Sequence, residues 1–83
     1  MYEIIISSKA KDQLKKVDNI TRNRISAIIE RLKIRPYSYV KRLVGTPYFR
    51  ARVGNYRIIL NIQNDKLIII VIEIGLRKNI YKK

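Results

Sequence analysis

The fold is decided by the stretch YFRARVGNYRIILNI, which occupies residues 48–62. Residues on both sides of Gly54-Asn55 follow a period of two, which is the repeat of a β-strand. Gly-Asn is a typical two-residue hairpin loop, because both residue types tolerate a positive φ. The stretch therefore predicts a β-hairpin with strands at 48–53 and 56–62.

The position of the loop determines which residues of the two strands lie opposite each other. The predicted pairs are Val53–Tyr56, Arg52–Arg57 and Arg50–Ile59. One face then carries Phe49, Ala51, Val53, Tyr56, Ile58 and Leu60. The other face carries Tyr48, Arg50, Arg52, Arg57, Ile59 and Asn61. We expect the first face to pack on the core and the second to face solvent.

Two amphipathic helices are predicted before the hairpin. The first follows an N-cap at Ser7 or Ser8, and its apolar stripe is Ala10, Leu14 and Val17. The second follows a cap at Asn19 or Thr21, and its stripe is Ile25, Ile28, Ile29 and Leu32. Because Pro36 disfavours a helical conformation before it, this helix is expected to end near Ile34. The short connection predicts a helical hairpin.

The remaining segments complete a sheet. Residues 2–6 form a short β-rich run, and Asn64-Asp65 is a second turn signal before a strand at 66–74. That last strand is almost entirely apolar, which favours an interior position in the sheet. We predict an α+β fold: a mainly antiparallel four-stranded sheet with an N-terminal helical hairpin packed on one face, as a single domain spanning residues 1–83.

Charge and composition narrow the function. The 83 residues include 19 Lys and Arg against six Asp and Glu, for a net charge of +13, which favours nucleic acid or an acidic protein as partner. Cys and His are absent and the carboxylates are scattered, so no metal site and no cofactor is expected. No signal peptide opens the chain, and its longest apolar run, residues 67–72, is too short to cross a bilayer. We expect a cytoplasmic protein without a membrane partner.

The paired arginines suggest a specific site. Arg52 directly opposite Arg57, with Arg50 one step along, is an unfavourable arrangement unless an anion lies between them. Glu73 is the only nearby carboxylate of the three-strand meander. Three converging guanidinium groups suit a phosphate, which arginine binds through two parallel hydrogen bonds. An ordinary solvated basic face is the alternative, and the pattern alone does not decide between them.

The chemistry open to such a face is limited. RNA carries its own nucleophile, the 2′-hydroxyl, and arginines can stabilise the charge that develops on the attacked phosphate. A tyrosine near these cations can position the 2′-hydroxyl or accept its proton, because neighbouring positive charge favours the phenolate. DNA lacks the 2′-hydroxyl, so this mechanism predicts RNA as the substrate.

Three short motifs connect these residues to a known family. The chain has G-x-P at 45–47, G-x-Y-R at 54–57 and G-x-R at 75–77, followed by Tyr81. In this order and spacing, and over nearly the whole chain, the sequence resembles the RelE branch of the RelE/ParE toxin superfamily. The resemblance implies a microbial-ribonuclease-like fold and a toxin of a type II toxin–antitoxin system that cleaves mRNA in the ribosomal A site. It also implies a RelB-type antitoxin, which the charge of this chain predicts to be acidic.

The resemblance further implies catalytic roles for five residues of a metal-independent endoribonuclease. Arg50 and Arg52 stand where RelE toxins have two basic strand residues, and Arg57 matches their active-site arginine. Arg77 matches an arginine near the leaving group, and Tyr81 matches a tyrosine that acts on the 2′-hydroxyl or stacks on a base. The best-known members have lysine at the first two positions, and arginine keeps the charge there but effectively does not transfer a proton.

Three other functions stay open at this point. A ParE-like gyrase inhibitor would share the fold without being a nuclease, although gyrase poisoning does not require the five residues named above. A non-catalytic RNA-binding or ribosome-associated protein would use the basic helices. A weakened toxin would still bind its antitoxin.

Overall fold

The computed structural model describes residues 1–76, and within them the chain forms two helices and five strands. In chain order these are β1 (Glu3–Ile6), α1 (Ser8–Lys15), α2 (Asn19–Leu32), β2 (Lys41–Arg42), β3 (Phe49–Val53), β4 (Tyr56–Gln63) and β5 (Ile68–Leu76). The strands form one sheet in the order β1-β5-β4-β3-β2. β1 runs parallel to β5, and the other neighbouring pairs are antiparallel.

The α+β class predicted from the sequence is confirmed, but the sheet has five strands rather than four. The additional strand is β2, which pairs with β3 through Lys41–Arg50 and Arg42–Phe49. A strand of two residues is too short to display a period of two, so the sequence does not reveal it. β5 lies between β1 and β4, which confirms the interior position expected for the most apolar segment.

The register of the β3–β4 hairpin is the one that its loop predicts. Val53 lies opposite Tyr56, and Arg52 lies opposite Arg57. Gly54 has a φ of +59°, a conformation that residues with a Cβ rarely adopt, and it forms the turn with Asn55. The alternation of faces along the hairpin therefore follows directly from this loop.

Polar side chains cap both helices. The Ser7 hydroxyl caps α1 by accepting from the Ala10 N–H at 3.1 Å, and it donates to the Ile72 carbonyl at 2.8 Å. Asp18 caps α2, so the expectation of Asn19 or Thr21 is wrong; carboxylates are equally good N-caps, and sequence spacing alone does not separate neighbours. Hydrogen bonds from the Thr21 hydroxyl and N–H hold the pKa of Asp18 below its usual range.

α2 ends at Leu32, two positions before the end expected from Pro36, and the following residues form turns. α1 follows β1 in the chain and lies beside β5. Once β1 has ended, the Gln13 side-chain oxygen of α1 accepts from the Ile74 N–H of β5 at 2.7 Å. The helix therefore satisfies part of the β5 edge that β1 leaves uncovered.

The core lies between the helices and one face of the sheet. Its helix residues are Ala10, Ile25, Ile29 and Leu32, and its strand residues are Ala51, Val53, Ile58, Leu60, Ile69, Val71 and Ile74. Val17, predicted as part of the first helix stripe, also belongs to the core but lies in the connection between α1 and α2. Burial of this apolar surface is the main force that holds the helices on the sheet. Side chains that alternate with these strand residues must lie on the opposite face. Within residues 1–76, neither helix is long and apolar enough to cross a membrane.

Candidate functional site

The three arginines singled out by the sequence lie together on the face of the sheet away from the helices. Arg50 and Arg52 belong to β3 and alternate with the core residues Ala51 and Val53. Arg57 belongs to β4 and is the direct cross-strand partner of Arg52. Directly opposed residues have Cβ atoms about 4.5–5.5 Å apart, so these two side chains start from adjacent positions.

The three arginines differ in their exposure. Arg52 is exposed and Arg50 is half-buried, whereas Arg57 is only 3% exposed. The expectation that this face is open to solvent is therefore wrong at Arg57. Arg57 lies on β4, the middle strand, which has neighbours on both sides, and the order of strands is not visible in the local sequence pattern. A guanidinium this deeply buried is held in a defined position, which suits the recognition of an anion.

Lys41 is a fourth cation on this face, and sequence reasoning missed it. It is the cross-strand partner of Arg50. The neighbouring Val40 packs against the core, so alternation directs Lys41 to the opposite face. The only signal in the sequence is the short alternation around Val40, which is too brief to assign a strand. We refer to Lys41, Arg50, Arg52 and Arg57 as the arginine face.

In the part of the chain that the structure describes, carboxylates do not pair with Arg50 or Arg52. Among residues 1–76, the ion pairs that the structure shows are Lys9–Glu73 at 3.5 Å and Lys33–Glu30 at 3.0 Å, and neither includes Arg50 or Arg52. Glu73, the nearby acid noted in the sequence, lies opposite Ile59 and is bound by Lys9 of α1. The Arg50 side chain donates to the Arg42 carbonyl at 3.4 Å. Arg50 and Arg52 therefore retain positive charge suited to a phosphate.

An open cleft of about 340 Å³ borders the arginine face at the β2 edge. It is lined by Ser38, Tyr39, Val40, Lys41, Arg50 and Arg52. The other two residues with catalytic roles implied by the resemblance, Arg77 and Tyr81, lie outside the described residues. In the part of the chain that the structure describes, His, Cys, Asp and Glu form no cluster of three or more that could hold a metal ion.

Solved structures with the same architecture include those of RelE toxins. A chain of the RelB–RelE antitoxin–toxin complex from Methanococcus jannaschii is 31% identical, with a TM-score of 0.76 over 94% of this chain and 95% of that one. A chain of the intact E. coli RelBE toxin–antitoxin complex is 18% identical, with a TM-score of 0.83 over 92% of this chain and 96% of that one. A chain of the archaeal RelE–RelB complex from Pyrococcus horikoshii OT3 is 23% identical, with a TM-score of 0.81 over 92% of this chain and 94% of that one.

The fold is thus that of the RelE toxins. A family model described as the ParE toxin of the type II toxin–antitoxin system parDE matches residues 4–81, and the chain belongs to this family of the RelE/ParE superfamily. It is a toxin of the type II toxin–antitoxin class. A search of the curated proteins finds none that matches.

Proposed function

We propose that this toxin is a ribosome-dependent endoribonuclease that cleaves mRNA in the A site. The observation that carries the proposal is the direct pairing of Arg52 with Arg57 on the face away from the helices. A toxin that only blocked a protein target would have no need to place two guanidinium groups at directly opposed positions. One phosphodiester can accept hydrogen bonds from both groups, which suits the pair to phosphate chemistry.

The proposed reaction uses the 2′-hydroxyl of the substrate. Its oxygen loses a proton and attacks the adjacent phosphorus, so that the 2′-O–P bond forms and the P–O5′ bond breaks. The departing O5′ takes a proton from water, which leaves a 2′,3′-cyclic phosphate and a 5′-hydroxyl. Arg52 and Arg57 stabilise the additional negative charge on the pentacoordinate phosphate. Arg50, one step along β3, supports the same charge. In this proposal Tyr81 positions the 2′-hydroxyl or accepts its proton, and Arg77 acts near the departing oxygen.

The reaction does not require a metal ion in this proposal. RNA supplies the nucleophile, and arginine side chains supply the positive charge that a metal would otherwise contribute. The chain has no His and no Cys, so its means of proton transfer are few. The ribosome would contribute by holding the mRNA in a geometry ready for attack, which converts a slow reaction into a fast one. Naked RNA is therefore expected to be cut poorly.

We further propose that the chain binds an acidic RelB-type antitoxin. The M. jannaschii, E. coli and P. horikoshii chains that share its fold come from complexes of toxin with antitoxin. The net charge of +13 attracts an acidic chain, and such a partner can fold as it binds. Neutralisation of the arginine face would then keep the toxin inactive.

Toeprinting on ribosomes programmed with a defined mRNA tests the proposal. With an empty A site, the protein is expected to produce a new mRNA end within the A-site codon. The 5′ fragment should end in a 2′,3′-cyclic or 3′ phosphate, and cleavage should resist EDTA apart from the effect of EDTA on the ribosome itself. An A-site codon that stays intact in the presence of folded protein would contradict the proposal.

Inhibition of DNA gyrase is the second candidate, because the matching family model is that of the ParE toxin. The same preparation should be added to a supercoiling assay as a parallel measurement. Blocked supercoiling with uncut ribosome-bound mRNA would favour gyrase inhibition, whereas the proposed nuclease should leave supercoiling unchanged.

A further inference from the structure

The cleft beside the arginine face arises from the short pairing of β2. Cross-strand pairing between β2 and β3 covers Lys41–Arg50 and Arg42–Phe49. Before Lys41, the chain from Ser38 to Val40 separates from β3 and leaves an open space of about 340 Å³. This volume lies at the lower end of the roughly 300–1,000 Å³ typical of small-ligand pockets, so it has room for a single nucleotide unit.

The lining of the cleft combines cations with an aromatic ring. Lys41, Arg50 and Arg52 contribute three positive groups, and none of the described residues that line the cleft is acidic. Tyr39 is 40% exposed and lines the cleft, so its ring is accessible from there. The guanidinium carbon of Arg31 lies 5.9 Å from the centre of that ring, in a cation–π contact that helps to hold the ring in place.

We propose that this cleft is a nucleotide subsite for single-stranded RNA, in which a base stacks on Tyr39 and Lys41 binds the phosphate next to the one that is cleaved. The inference rests on the proposed nuclease function and extends it. Stacking on an aromatic ring combined with cations along the backbone is the usual way in which proteins hold single strands. Neither Tyr39 nor Lys41 belongs to the motifs on which the family resemblance rests.

The geometry connects the subsite to the proposed reaction centre. Arg52 lines the cleft and is also the cross-strand partner of Arg57, so it lies between the subsite and the proposed reaction centre. Lys41 and Arg57 lie on strands separated by β3 and are offset by two residues along the strands, which places their backbones about 12 Å apart. A short segment of extended RNA spans that distance. The bound strand would therefore run across the sheet from β2 toward β4.

The test uses a short single-stranded RNA with 2′-O-methyl groups, which cannot be cut, and a 2-aminopurine base as a stacking reporter. Affinity is measured by fluorescence anisotropy over a series of salt concentrations. Tyr39→Ala is expected to weaken binding by about fivefold or more and to reduce the quenching of 2-aminopurine. Tyr39→Phe should keep the wild-type affinity and the quenching of 2-aminopurine, because it retains the aromatic ring. Lys41→Ala should make the slope of log K against log salt shallower by about 0.7, the value for one lost phosphate contact.

Lys66→Ala is the matched control, because this exposed lysine lies in the turn between β4 and β5. It should leave the salt slope unchanged, and thermal unfolding of every variant verifies the fold. Wild-type affinity, quenching and slope in both Tyr39→Ala and Lys41→Ala would overturn the subsite. So would a slope change in Lys66→Ala as large as that in Lys41→Ala. Because the probe is not cleaved, these outcomes are separate from the toeprinting result that decides the nuclease function.

Discussion

Arg57→Ala is expected to slow A-site cleavage by at least about tenfold, which corresponds to roughly 1.4 kcal/mol of transition-state stabilisation. Arg57 is 3% exposed and is held opposite Arg52, so its guanidinium is positioned before the substrate arrives. Such preorganised charge contributes most where negative charge develops during the reaction. The rate should be measured in a single turnover on programmed ribosomes, with the protein in excess.

Arg42→Ala is the matched control for this experiment. Arg42 also lies in the sheet, but it pairs with Phe49 and its guanidinium carbon lies 5.7 Å from the centre of the Phe49 ring, away from the arginine face. It should cleave at close to the wild-type rate. Since Arg57 is buried, its variants need a parallel measurement of thermal unfolding, and Arg57→Lys should recover only part of the rate because it loses the bidentate geometry. A folded Arg57→Ala variant with wild-type activity would remove Arg57 from the site.

Ile58→Ala should lower the free energy of unfolding by about 2–5 kcal/mol. The side chain of Ile58 is fully buried in the core, directly after Arg57 in β4. Its truncation leaves a cavity between the sheet and the helices as well as removing apolar contacts. Small proteins are stable by only about 5–15 kcal/mol, so the loss is a large fraction of the total. Equilibrium unfolding in urea measures the change.

Ile34→Ala is the control for the core substitution, because Ile34 is 68% exposed and lies after the end of α2. Its free energy of unfolding should change by no more than about 0.5 kcal/mol. Equal, small effects of the two substitutions would mean that Ile58 does not face the core. The alternation that places Arg57 on the other face would then be wrong as well.

The β3–β4 hairpin was predictable because its determinants are local. Gly54-Asn55 fixes the loop, the loop fixes the register, and the register places Arg52 opposite Arg57. The apolar face of the hairpin and the two helix stripes were predictable for the same reason, since periodicity reports directly which side is buried. The partition of the sheet into a core face and a cationic face thus follows from short-range pattern.

Features that depend on distant parts of the chain were not predictable. Residues 41 and 42 form β2 because they pair with the edge of β3. Nothing in those two residues alone indicates a strand. Lys41 was therefore missed as a member of the arginine face. The burial of Arg57 depends on the order of strands in the sheet, which places β4 in the middle. Asp18 is the cap because its backbone is extended, with a ψ of 163°, and its carboxylate accepts from the Thr21 N–H, and neither feature is visible in the sequence.

The central claim is that Arg52 and Arg57 act on one phosphate, and a double-mutant cycle tests it most directly. Single-turnover A-site cleavage should be measured for Arg52→Ala, Arg57→Ala and the double variant. If both guanidinium groups stabilise the same charge, the double variant should lose less than the product of the two single losses, with a coupling energy of at least about 0.5 kcal/mol. If the loss of rate in the double variant equals the product of the two single losses, the two arginines act independently, and this result would contradict a shared phosphate site.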